Sequence, residues 1–107
     1  PQSLQIIQKN RELLQIPKED LQILKKDVLS YLKGPFLDGF DIVLIDPPFT
    51  EEMADEVLKA YSQSELARFS AKIFIEAGKK EVLADQYGPL LLKDRKNYGD
   101  KFLSLYY

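Results

Sequence analysis

The run Phe40-Asp41-Ile42-Val43-Leu44-Ile45, followed at once by Asp46-Pro47-Pro48-Phe49, is the feature that most constrains this chain. The run is rich in β-branched and other apolar residues, which predicts a strand from Phe40 to Ile45. So few polar positions mean burial on both faces, as in a parallel sheet covered by helices. Two prolines cannot continue a central strand, so it must end at Asp46. Thr50 is a helix-capping residue type, and Glu51 and Glu52 suit the positive end of a helix, which predicts a helix to about Tyr61.

Other segments fit around this strand. Residues 2–15 read as an amphipathic helix with Ile6, Ile7, Leu13 and Leu14 on one face, ended by Pro17. Leu21, Ile23 and Leu24 read as a short buried strand with Asp27 just beyond it. Val28 to Leu32 reads as a short helix closed by Gly34-Pro35. Ala71 to Ile75 reads as a strand ending at Glu76. Leu90 to Lys96 and Lys101 to Tyr106 read as an antiparallel hairpin turning at Tyr98-Gly99-Asp100. The expected fold is a single α/β domain, its sheet mostly parallel with a C-terminal antiparallel hairpin. Ligands of such sheets bind beyond the C-terminal ends of the strands, where Asp27, Asp46 and Glu76 are expected.

Composition narrows the chemistry. The 107 residues hold no cysteine and no histidine, which excludes disulfides, thiolate metal sites and nucleophilic catalysis by a Ser-His or Cys-His pair within this chain. No carboxylate spacing suggests a metal cluster, and no apolar run is long enough to span a bilayer. A formal net charge of -2 is not that of a domain that grips nucleic acid unaided. Local basic groups at Lys25-Lys26, Lys79-Lys80 and Lys93, Arg95 and Lys96 read first as solvated surface.

A reaction that needs no strong base remains open: methylation of an exocyclic amine. The amine's lone pair is conjugated into the ring, so a carboxylate accepting an N–H hydrogen bond both orients the nitrogen and enriches it in electron density. A rigidly held backbone carbonyl takes the second N–H, and an aromatic ring stacks on the base. Asp46, the carbonyl of Pro47, and Phe49 supply these three roles, and Pro48 keeps the turn rigid beside the substrate. The bland alternative is a stiff strand-to-helix turn whose aspartate accepts backbone hydrogen bonds.

Asp46-Pro47-Pro48-Phe49 resembles the (Asp/Asn/Ser)-Pro-Pro-aromatic signature of amino-methyltransferases, and its setting resembles the RsmD-type 16S rRNA guanine-N2 methyltransferases. Ser3 to Leu14, with Asn10, looks like that family's helix after the ribose-holding strand. Leu21 to Leu32 is similar to its strand-Asp-helix segment, and Phe40 to Phe49 to its central motif. Tyr98-Gly99-Asp100 with Phe102 to Tyr106 looks like its closing strand. The resemblance implies a Rossmann-like fold and S-adenosylmethionine as cofactor. It implies Asp46, Pro47 and Phe49 as catalytic residues, Asp27, Val28 and Asp46 at the cofactor, and Pro48, Phe49 and Tyr98 at the substrate. It also implies 16S rRNA or a small-subunit particle as partner, and a cytoplasmic setting.

Two departures stand out. The family's glycine-rich cofactor loop has no counterpart, since the five glycines are scattered and no G-x-G occurs. The strand near Lys72 also lacks an opening glycine. The chain starts at Pro1, and the expectation is a C-terminal portion of a methyltransferase domain, with little or no cofactor binding or catalysis alone. The rivals are a DNA adenine-N6 or cytosine-N4 methyltransferase and a non-catalytic α/β remnant. A glutamine methyltransferase would more usually carry Asn at position 46.

Overall fold

A computed structural model describes residues 2–48 and 52–107. The elements run in the order α1 (Gln2–Leu13), α2 (Val28–Leu32), β1 (Ile42–Ile45), α3 (Ala54–Gln63), a 3-10 turn (Glu65–Arg68), β2 (Lys72–Gly78), β3 (Gln86–Tyr87), β4 (Leu90–Tyr98) and β5 (Lys101–Tyr106). The five strands form one sheet in the order β1-β2-β5-β4-β3. The α/β expectation holds, and so does the closing hairpin of β4 and β5. The expected mostly parallel sheet does not: β1 and β2 are parallel, whereas β2 with β5, β5 with β4, and β4 with β3 are antiparallel. The reason lies in the connections. One helical crossover, through α3, joins neighbouring parallel strands, while tight turns join β3 to β4 and β4 to β5.

The hairpin turn depends on Gly99, whose φ of +61° stands at the first central position, the place glycine takes in a II′ turn. α1 ends earlier than Pro17 requires. Gln15 takes φ +56°, its N–H bonds the Glu12 carbonyl, and the Ile16 N–H bonds the Arg11 carbonyl, a Schellman closure made without glycine.

The core lies between α3 and one face of the sheet. Ala54, Val57, Leu58 and Tyr61 recur at helical spacing on α3 and are all buried. Opposite them lie Ile73, Ile75 and Ala77 of β2 and Phe102 and Tyr106 of β5, with Leu66 and Leu83 closing the ends. Leu32 of α2 joins the same cluster. Gly39 lets the chain enter β1 close to the 3-10 turn, because a Cβ there would fall on the Cβ and Cγ of Phe69.

Three further expectations are corrected. Leu21 to Leu24 belongs to no ladder and Leu24 is exposed; among the described residues no strand runs beside it to complete its backbone hydrogen bonds. β1 is buried on one face only. Val43 and Ile45 pack against the core, but Ile42 and Leu44 are 62% and 78% exposed, since β1 is an edge strand whose second face no described element covers. The apolar stripe of α1 likewise stays exposed at Ile6, Ile7 and Leu13, as does Leu14 just beyond it. Finally, β2 runs on to Gly78, so Glu76 lies within the strand, paired with Leu103, rather than at its end.

Candidate active site

Asp46 directly follows the last residue of β1 and is exposed. Parallel pairing of Ile45 with Ile75 puts this strand end beside Glu76 of β2. A cavity of about 400 Å³ opens here, between β1, α2 and α3. Asp46, Pro47 and Pro48 form one side, Val28 and Tyr31 of α2 another, and Met53, Val57 and Tyr61 a third. The wall is largely apolar, and among the described residues that line it Asp46 is the one carboxylate. A flat ligand seated against this wall would exclude water from that carboxylate and so strengthen a hydrogen bond made to it. Asp46 is exposed, not part of the core, and is among the residues that line this cavity.

The other candidates are distributed unevenly. Val28 and Asp46 share the cavity. Asp27 does not: its carboxylate caps α2 by accepting the Ser30 N–H at 3.1 Å, and it faces an adjoining groove with Lys26 and Phe36. Phe49 lies outside the described residues, as do Thr50 and Glu51. Glu76 is half-buried on the sheet face away from α3, since its neighbours Ile75 and Ala77 point into the core. Tyr98 sits at the same end of the sheet, at the hairpin tip, and is 58% exposed. Three strand spacings separate its strand from β1, roughly 14 Å. It does not line the cavity. A larger groove of about 570 Å³ lies at the opposite end of the sheet, around Asp41, Lys72 and Tyr107, where α/β sheets do not usually hold their ligands. Among the described residues no carboxylate cluster could hold a metal ion, and no helix is long and apolar enough to cross a membrane.

Sequence reading missed what holds the cavity's third wall. α3 begins at Ala54, and its flanking residue Met53 makes no side-chain cap. The cap comes from Glu81: its carboxylate accepts the Ala54 N–H at 3.3 Å and the Asp55 N–H at 2.8 Å. Next to it, the Tyr87 hydroxyl donates to Asp55 and accepts the Ala84 N–H. The Tyr106 hydroxyl donates to the Ala84 carbonyl and accepts from the Arg95 guanidinium, which also donates to Ser104 Oγ at 2.9 Å. Nothing in the sequence signalled this: it offered Thr50, which lies outside the described residues, as the cap, and α3 begins only at Ala54.

The hydrogen bond from Tyr87, followed by the bond and charge of Lys59, holds Asp55 below the usual carboxylate range against the opposing effect of its partial burial. Burial, reinforced by Asp55, pushes the Tyr87 phenol well above its ordinary range. Burial likewise raises Tyr61 and Tyr106. Because folding raises these three phenols, the unfolded chain gives up their protons first. Stability is complete below the ordinary phenol pKa of about 10 and falls as pH rises beyond it. The expected result is alkaline unfolding above about pH 10. Absorbance at the phenolate band should show these three tyrosines ionising together with the loss of far-UV circular dichroism.

The fold and cavity thus define an α/β protein with an apolar cavity at a strand end. The chain belongs to the family Conserved hypothetical protein 95, whose sequence model matches residues 1–107. It is 27% identical over 90 residues to the ribosomal RNA small subunit methyltransferase D of Haemophilus influenzae, a match covering 83% of this chain and 47% of that protein. Among solved structures, a Haemophilus influenzae protein assigned as a methylase superposes with a TM-score of 0.82 at 25% identity, covering 96% of this chain and 64% of that one. A conserved protein of Streptococcus pyogenes shares the fold with a TM-score of 0.77 at 24% identity, covering 98% of this chain and 64% of the other. The chain spans about half the length of the curated relative it matches. These findings agree with the RsmD-type resemblance drawn from the motifs.

Proposed function

We propose that this chain supplies the amine-recognising part of an S-adenosylmethionine-dependent methyltransferase acting on the exocyclic N2 amine of a guanine in 16S rRNA. The observation that carries this reading is the exposed Asp46 carboxylate at the end of β1, fixed by Pro47-Pro48 over an apolar cavity. Asp46 accepts one N–H of the amine and turns its lone pair toward the methyl donor. The Pro47 carbonyl takes the other N–H, and Phe49 and Pro48 bear on the base plane. Extracting a base from its helix is costly, and stacking with hydrogen bonds to its edge offset that cost.

The cofactor supplies a methyl group already activated on a sulfonium, so proximity and alignment are the protein's main contribution. The residues present fit part of that cofactor. Val28, Pro47 and Pro48 give apolar walls suited to a flat heterocycle, with Asp46 beside them. Asp27 is engaged in capping α2, and no G-x-G loop occurs in this sequence to receive the remainder. Calorimetry on the 107-residue chain is therefore expected to show weak S-adenosylmethionine binding or none. Tight binding would show that these residues suffice.

The direct test is methyl transfer by the full gene-encoded polypeptide to small-subunit particles, followed by nucleoside digestion. N2-methylguanosine is the expected product. Label in DNA as N6-methyladenine or N4-methylcytosine would replace the RNA reading with the DNA one. Absence of transfer to either would favour a non-catalytic module.

A further inference from the structure

Glu81 is one of two buried polar residues among those described, the other being Ser104. A buried carboxylate is costly unless it is hydrogen-bonded, so its partners show what it does. Both oxygens are used on consecutive amides, those of Ala54 and Asp55, the first two of α3. The carboxylate also suits the positive end of the helix. Among the described residues nothing local does this work: Met53 contributes no cap, and Glu52 before it sits at φ +50°, a conformation non-glycine residues hold only when their surroundings impose it.

The loop that carries Glu81 is itself pinned. The Glu81 N–H bonds the Gly78 carbonyl, and the Lys79 N–H bonds the Asp100 carbonyl in the hairpin turn. Leu83 is buried in the core, and Ala84 is held between the hydroxyls of Tyr87 and Tyr106. Glu81 therefore joins the rigid sheet to the helix start. Met53, immediately before the clamped amides, lines the cavity together with Pro47 and Pro48.

From this arrangement we propose that Glu81 is a positioning residue for the Asp46 site, setting the cavity wall opposite Asp46 by fixing where α3 begins. The proposal rests on the assignment of Asp46 made above for its catalytic consequence, but not for its structural one. A shift of the helix start moves Met53 relative to Asp46, and displacements near 1 Å are enough to lower turnover by as much as about 100-fold.

Met53 is the single methionine of the chain, so its labelled methyl group gives one NMR signal that reports on this wall. In the 107-residue chain, Glu81→Ala is expected to shift and broaden that signal and to speed amide exchange at Asp55 about tenfold. Glu81→Gln, which keeps one acceptor, is expected to fall between. Leu90→Ala removes core volume at the opposite end of the sheet and is the control for lost stability alone. In the methylating full-length protein, Glu81→Ala is expected to lower kcat about 10-fold or more with KM changed little, and Glu81→Gln to recover part of it.

An unmoved Met53 signal in Glu81→Ala, or an equal shift in Leu90→Ala, overturns the proposal. So does unchanged kcat in Glu81→Ala when Asp46→Ala is inactive. If Asp46→Ala proves fully active while Met53 still responds to Glu81, the reading of Asp46 fails and the clamp stands. Should Glu81→Ala fail to fold, Glu81→Gln carries the same readouts.

Discussion

Asp46→Ala is expected to reduce kcat for methyl transfer at least about 100-fold, the scale seen when one preorganised hydrogen-bond partner of a transition state is removed. The loss should fall on kcat more than on KM, because the apolar cavity wall and the stacking contacts remain. Asp46→Asn keeps one carbonyl acceptor but loses the charge, so it should retain more activity than alanine. Since the Asp46 side chain is exposed, neither change should move the unfolding midpoint appreciably. Single-turnover kinetics on small-subunit particles, with a thermal melt of each variant, checks both halves. A fully active Asp46→Ala, with activity lost instead on changing Tyr98, would relocate the site to the hairpin tip.

Tyr106→Ala should be the most destabilising single change in the described residues, by about 3–5 kcal/mol for the deleted ring. Tyr106 is fully buried, its ring meets Tyr87 edge-on at 5.6 Å, and its hydroxyl joins the Arg95 guanidinium to the Ala84 carbonyl. Tyr106→Phe keeps the ring and removes only that junction, which should cost about 1–3 kcal/mol. Native domains hold only about 5–15 kcal/mol in total, so the alanine variant approaches global unfolding. Urea titrations followed by circular dichroism separate the two, with the midpoint falling and the slope unchanged. Equal losses in the two variants would mean that the polar junction, not the packing, holds this corner.

Much of the path from residues to site was legible. The helix expected from a Thr50 cap to about Tyr61 is present as Ala54–Gln63, and the strand before Asp46, the helix at Val28–Leu32 and the hairpin of β4 and β5 all follow from periodicity and turn chemistry. So does the placing of Asp46 at a strand end beside a cavity. Errors arose wherever an apolar run was read without knowing its neighbour. Leu21–Leu24 has the composition of a strand but no partner among the described residues, and β1 has the composition of a central strand but lies at the sheet edge. Glu76 was read as terminal because the apolar run stops there, whereas pairing with β5 carries the strand on to Gly78.

Local chemistry alone, then, decided where the backbone must stop and turn: proline after Ile45 ends a strand and glycine at 99 makes a two-residue turn, whatever packs around them. Only the tertiary structure decided which strands pair, which face of β1 is covered, and that a glutamate 27 residues beyond Ala54 caps α3. The physical reason is range. Backbone dihedral limits act within a residue or two, but hydrogen-bond partners and buried faces are shared between segments that meet only once the chain has folded.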